Sequence, residues 1–241
     1  MPLYYYMINR LKTIVIIAFT CLLGYTAKAQ VGNDYAQYDL GIGLDMNKAY
    51  TDVQTIKSTK SGHFNFNYNV SPFVNYIIEF QTGTLQGGDS LTTTTGRQFT
   101  NTFNAVMFRA QLQMGEIIDY SQGGVANVFK NVYVSSGVGF VVNHLTEINR
   151  ASIQVPGFYT AGEDNSNEIL IPARIGYEFK FYNRYNQPGF KIDIGYQYNF
   201  IMGDQLDGYA VGKQRDSYSQ ISFGIKFAVG GVISYRKQIT Y

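Results

Sequence analysis

The chain has 241 residues, with 19 Lys and Arg against 17 Asp and Glu and a formal net charge of +2. So even a balance gives no electrostatic case for nucleic acid, which selects concentrated basic surfaces. With 21 Tyr, 17 Phe, 25 Gly, only five Pro and 15% charged residues, and with helix signals nearly absent, the composition points to an all-β domain.

The N-terminus reads as an export signal. Arg10 and Lys12 precede an apolar run from Ile14 to Gly24, and Ala27-Lys28-Ala29 supplies the small residues that signal peptidase reads. Residues 1-29 are expected to be a cleaved signal peptide, since a run of about eleven residues is too short to cross a bilayer as a helix. Cys21, the only cysteine, lies inside it, and Phe19-Thr20 before it does not suit lipid attachment. Cleavage would leave about 210 residues with no thiol and no disulfide. It would also remove Arg10, Lys12 and Lys28 and no acid, taking the net charge to −1.

From residue 30 onward, apolar and polar residues alternate in segments of about ten, the period of half-buried strands. The first sets Tyr38, Leu40, Ile42, Leu44 and Met46 against Asp39, Gly41, Gly43 and Asp45. The second sets Phe64, Phe66, Tyr68 and Val70 against His63, Asn65, Asn67 and Asn69. A reversal at Ser71-Pro72 leads into the third, with Val74, Tyr76, Ile78 and Phe80 opposed to Asn75, Glu79 and Gln81. The fourth, 99–115, carries Val106, Phe108, Ala110, Leu112 and Met114 against Arg109, Gln111 and Gln113. The fifth, 132–143, opposes Val132, Val134, Val138, Phe140 and Val142 to Ser135, Gly137 and Gly139. The sixth turns Ala173, Ile175, Tyr177, Phe179 and Phe181 away from Arg174, Glu178 and Lys180. The seventh alternates Phe190, Ile192, Ile194, Tyr196, Tyr198 and Phe200 with Lys191, Asp193, Gln197 and Asn199. The eighth, 217–229, alternates Ile221, Phe223, Ile225 and Phe227 with Ser222, Gly224 and Lys226.

The connections alternate too. Those at 47–62, 86–98, 144–167 and 203–216 are long and polar, whereas Ser71-Pro72 and 183–188 are short. Long loops at one end and short turns at the other, with an even strand count, are the plan of an outer-membrane barrel. The segment 116–131 breaks the rule, and its apolar residues are read as extensions of the strands beside it. A soluble lipocalin-like barrel would show the same alternation with its faces exchanged. The repeated Gly, Asn and Gln on the polar faces suit a narrow interior, and full-length aliphatics with Tyr and Phe toward the strand ends suit a lipid-facing wall.

On these eight segments, the Asn69-Val70-Ser71-Pro72-Phe73 reversal and the closing Ser222-Phe223-Gly224-Ile225-Lys226-Phe227, the chain resembles the small OmpA/OmpX-type outer-membrane β-barrels, also grouped as outer-membrane β-barrel or porin-family domains. The resemblance covers residues 30-229 and implies an antiparallel up-and-down transmembrane barrel of about eight strands, in the outer membrane of a Gram-negative bacterium. It departs from that pattern at the end: after Gly230-Gly231, residues 230-241 are either a periplasmic extension or a hairpin into a further strand.

The polar faces place Asp39, Asp45, Glu79, Glu178 and Asp193 inside with Arg109, Arg174, Lys180, Lys191 and Lys226. Equal numbers of both signs predict a paired lumenal network that fills the barrel. His144-Leu145-Thr146 with Glu147 is the one cluster with a catalytic flavour, but it lacks the serine that lipid-modifying barrels use, so no catalytic residue is assigned. The oxygen-rich run 163–168 lacks the spacing of a calcium loop, and the Gly-x-Gly pairs at 41–43 and 137–139 sit within strands, so neither metal nor cofactor is assigned. The expected function is a non-enzymatic structural or surface interaction protein. Its expected partners are outer-membrane lipid and lipopolysaccharide, with an extracellular ligand or envelope protein at the loops. A narrow OmpW-like transporter of small hydrophobic molecules and an accessory barrel of a secretion machine are the alternatives.

Overall fold

A computed structural model of the chain describes residues 32–91, 93, 95–120, 124–151, 157–184, 186–210 and 215–236. The expected signal peptide, Cys21 and residues 237–241 lie outside them. Eight strands follow in order: β1 (Gly32–Tyr50), β2 (Ser58–Asn69), β3 (Val74–Gly88), β4 (Gln98–Gln113), β5 (Val132–Asn149), β6 (Asn165–Tyr182), β7 (Pro188–Ile201) and β8 (Ser217–Arg236). Each pairs antiparallel with the next, and β8 closes on β1.

The polarity of the wall is inverted relative to a soluble protein. Ile42, Leu44, Phe140 and Ile221 stand 60–73% exposed on the outside, while Asp39, Glu178, Gln197 and Asn199 are fully buried within. Water would strip such an exterior into aggregates, whereas lipid solvates it. Aromatic pairs mark both ends of the apolar band: Phe181 stacks on Phe190 at 4.5 Å near one rim, and Tyr198 lies 4.8 Å from Phe200 near the other. Among the described residues no helix is long and apolar enough to cross a membrane, so the crossing is made by strands.

The reversal between β2 and β3 is held by Ser71, whose hydroxyl accepts from the backbone N–H of Phe73 (3.1 Å) and Val74 (3.0 Å). At the same end Asn186 takes the left-handed conformation (φ 57°) that closes the β6–β7 turn, one that Asn tolerates better than most residues. The four long connections gather at the opposite end, which is therefore extracellular.

Two segments differ from expectation. Residues 116–131 do not prolong their strands. They form the short helices α1 (Met114–Ile117) and α2 (Gly124–Phe129), in keeping with the helical spacing of Val125, Val128 and Phe129. Nor does β8 stop at Val229. It pairs with β1 as far as Arg236, and Gly230-Gly231 is neither a hairpin turn nor the start of a loose extension but a bulge, set where the register slips between Ala36 and Tyr38. Gly230 sits at φ +83°, which a residue with a Cβ adopts only under strain.

Candidate functional site

The lumen is built in layers. Toward the periplasm, Lys191 Nζ meets Asp39 Oδ2 at 2.5 Å, and Asn69 donates to the same oxygen at 2.8 Å. Above it the strands bring the central charges together. Arg174 lies 2.5 Å from Asp193 Oδ1, and Lys226 Nζ bridges Asp193 Oδ2 (2.7 Å) and Glu178 Oε1 (2.6 Å). Tyr133 completes the knot, its hydroxyl accepting from Arg174 Nε (2.7 Å) and donating to Asp193 Oδ1 (2.8 Å). Arg109 pairs with Glu79. Small residues on the wall leave room for these long side chains. A Cβ at Gly195 would stand 2.7 Å from Arg174 Nε, and one at Gly176 2.4 Å from the Tyr133 hydroxyl.

Two members of the predicted set find other partners. Among the described residues Lys180 makes no ion pair, and it donates instead to Pro72 O (2.5 Å) and Gln113 Oε1 (2.6 Å). Asp45 meets none of the five bases; it holds His63 Nδ1 at 2.9 Å and Ser61 Oγ at 3.0 Å. Gln81 spans from this group to Gln220 (2.9 Å), forming a polar band across the middle of the lumen.

The extracellular half of the lumen holds an apolar core beside the buried amides of Asn101 and Asn143, against a sequence reading that took the interior as polar throughout. Phe99, Phe103, Met107, Leu145, Leu170 and Ile201 pack there with Tyr218 into one buried cluster. The β7–β8 connection closes it from above by inserting Leu206 and Tyr209, both fully buried. The sequence carried a signal for this cluster: alternation fails at Val106-Met107-Phe108, Val141-Val142, Ile169-Leu170-Ile171 and Phe200-Ile201, where both faces of a strand are apolar. The inserted residues had none, because loop residues follow no period.

Carboxylates fix this loop. Glu168 accepts from the N–H of Gln205 (3.0 Å), Asp216 from Leu206 (2.9 Å), and Asp207 from Tyr209 (3.0 Å) and Asp52 (3.2 Å). Gly208, at φ +73°, makes the turn, and a Cβ there would stand 2.8 Å from Leu145 and Ile148. Burial raises the carboxyl of Asp207 to about 6, and burial together with the neighbouring Asp207 raises that of Asp216 to about 9. The folded loop therefore holds protons that an unfolded one releases near pH 4. Its stability is greatest in acid and falls as pH rises, first through about 6 and then through about 9. Hydrogen exchange of the 203–209 amides, corrected for intrinsic rate, is expected to lose protection across that range, and Asp216→Asn to flatten the upper step. A pH-independent profile in the wild-type chain would show that these carboxyls titrate normally.

At the extracellular rim the tips of β5 and β6 and the start of this loop enclose an open groove of about 810 Å³, lined by Asn143, His144, Ser166, Glu168, Asp204 and Gln205 among others. His144 is engaged through Nδ1 with Asn165 Oδ1 at 2.6 Å, and the Thr146 hydroxyl donates to the Thr100 carbonyl at 3.3 Å. The oxygen-rich run at 163–168 is not a loop tip, since Asn165–Glu168 belong to β6 and Glu168 turns inward. Among the described residues no group of three or more His, Cys, Asp or Glu is placed to hold a metal ion.

A closed, eight-stranded barrel with an apolar exterior and a charged, filled interior defines an integral β-barrel of the bacterial outer membrane. The chain matches no protein-family profile and no curated protein sequence. Among solved structures it is similar to the attachment invasion locus protein Ail of Yersinia pestis, at 12% identity and a TM-score of 0.43, over 80% of this chain and 98% of that one. It is likewise similar to the Neisserial surface protein A (12% identity, TM-score 0.45, 80% and 98% covered). A third is CarO of Acinetobacter baumannii (12% identity, TM-score 0.38, 78% and 97% covered).

Proposed function

We propose that the protein is a closed, non-enzymatic barrel of the cell surface that acts through its extracellular loops as a structural or interaction protein. The observation that carries this reading is the filling of the lumen at every level. Ion pairs occupy the lower half, the Gln81–Gln220 contact crosses the middle, and the Phe103–Tyr218 cluster under Leu206 and Tyr209 occupies the top. A barrel of eight strands has an interior only wide enough for its own side chains, so a diffusion channel has no space here. Solute recognition then falls to the loops, where the rim groove gathers amide, hydroxyl and carboxylate groups at the surface. Reconstitution into planar bilayers is expected to leave the baseline current unbroken. Sustained steps of porin size would overturn the closed-barrel reading.

A further inference from the structure

The one long periplasmic connection has no role in closing the extracellular end, and its two faces differ sharply. Its inner face is tied to the barrel mouth. Glu116 accepts from the hydroxyls of Ser71 (2.9 Å) and Tyr235 (3.3 Å), and Tyr120 packs edge-on against buried Phe73 at 5.5 Å between ring centres. Gly115 N–H donates to Lys130 O at 2.8 Å, joining the two ends of the segment. Among the described residues its outer face carries large exposed apolar side chains: Ile117, Val125 and Phe129 are 53–72% exposed and Met114 is 39% exposed, with Asp119 the one exposed charge beside them.

We propose that α1 and α2 form an interfacial anchor lying in the periplasmic leaflet of the outer membrane, with phospholipid acyl chains covering Ile117, Val125 and Phe129. Continuity with the lipid-facing wall supplies the first argument. Met114 extends the outward row Phe108, Ala110, Leu112 of β4, with no polar residue between it and the band. The position of α2 supplies the second. The Tyr177 hydroxyl, on the outward face of β6, donates to Val128 O at 2.9 Å, so the helix hangs over the outside of the wall rather than across the mouth. Tyr177 itself packs on Phe179 at 4.6 Å on the lipid-facing wall, so α2 lies beside acyl chains, as a short amphipathic interfacial helix does. A helical turn with its polar side on the barrel and its apolar side outward is matched to lipid and would be unstable against water.

The chain contains no tryptophan, so a single introduced indole reports its own site. Ile117→Trp, Val125→Trp and Phe129→Trp would each be folded into phosphatidylcholine vesicles containing lipids brominated near the headgroup end of the acyl chain. Phe108→Trp in the apolar band would serve as the lipid-exposed reference and Leu91→Trp, 92% exposed in the β3–β4 loop, as the aqueous one. Retention of the heat-dependent gel shift identifies folded variants, and each position is read separately. Blue-shifted emission quenched by the brominated lipid, as for Phe108→Trp, is the expected result. Red-shifted, unquenched emission like that of Leu91→Trp would overturn the proposal. So would blue-shifted emission that bromine leaves untouched, which would mean that protein, such as a second copy of the chain, covers the face.

Discussion

Asp193→Ala is expected to destabilise the barrel by about 3–5 kcal/mol, the loss that follows when one partner of a buried ion pair is removed. Asp193 is 2% exposed and answers two cations, Arg174 and Lys226. Lys226 keeps Glu178 after the substitution, but among the described residues Arg174 keeps only the Tyr133 hydroxyl as a hydrogen-bond partner. The uncompensated guanidinium is therefore the source of the cost. Denaturant unfolding in lipid vesicles, followed by the gel shift, measures it. The double variant Asp193→Leu with Arg174→Met is expected to recover much of the loss, because no lone charge stays buried. If Asp193→Ala cost less than about 1 kcal/mol, as at a solvated surface pair, the lumen would have to be wet. The closed-barrel reading would then fail together with the prediction.

Ile194→Arg probes the other face of the same strand. Ile194 lies halfway along β7, is 43% exposed, and stands between Tyr177 on β6 and Phe223 on β8 in the apolar wall. An arginine at the bilayer midplane costs roughly 2–4 kcal/mol, falling to about 0–1 kcal/mol near an interface. Met202→Arg, one residue past the end of β7 and 45% exposed, is the interfacial comparison. Unfolding from vesicles should separate the two variants by at least about 1 kcal/mol. Equal costs would mean that the exterior is not immersed at the depth its polarity indicates. Gln197 would be a poor control, because it is fully buried against Met107 and Asn199, and a larger side chain there would be resisted by crowding rather than by lipid.

The two faces of each strand were legible in the sequence because a strand has a side-chain period of two. Once Ile192, Ile194 and Tyr196 fall on one face, Asp193 and Gln197 must fall on the other. The alternation of long and short connections added the direction of the chain at each crossing. Together these determined an up-and-down barrel of eight strands with ten charged residues on its polar faces. What period-two reasoning does not carry is distance across the lumen. Arg174 and Asp193 lie on neighbouring strands, yet Lys226 reaches Glu178 from β8 to β6, and Asp45 turned from the bases to His63. Such choices depend on strand stagger, which sets the height of each side chain and is fixed only when β8 closes on β1.

The same limit explains the parts misread. Gly230-Gly231 has the composition of a turn, but a bulge uses the same conformational freedom, and only the waiting edge of β1 decides between them. Leu206 and Tyr209 lie in a connection with no period at all, and they are buried because the apolar top of the barrel offers them a site. By itself the sequence determined the class of fold, the medium each face meets and the stock of lumenal charge, since all three follow from local alternation. Only the tertiary structure decided which charges pair, that the upper lumen holds an apolar core and that a loop seals it, because these depend on contacts between residues far apart in the chain.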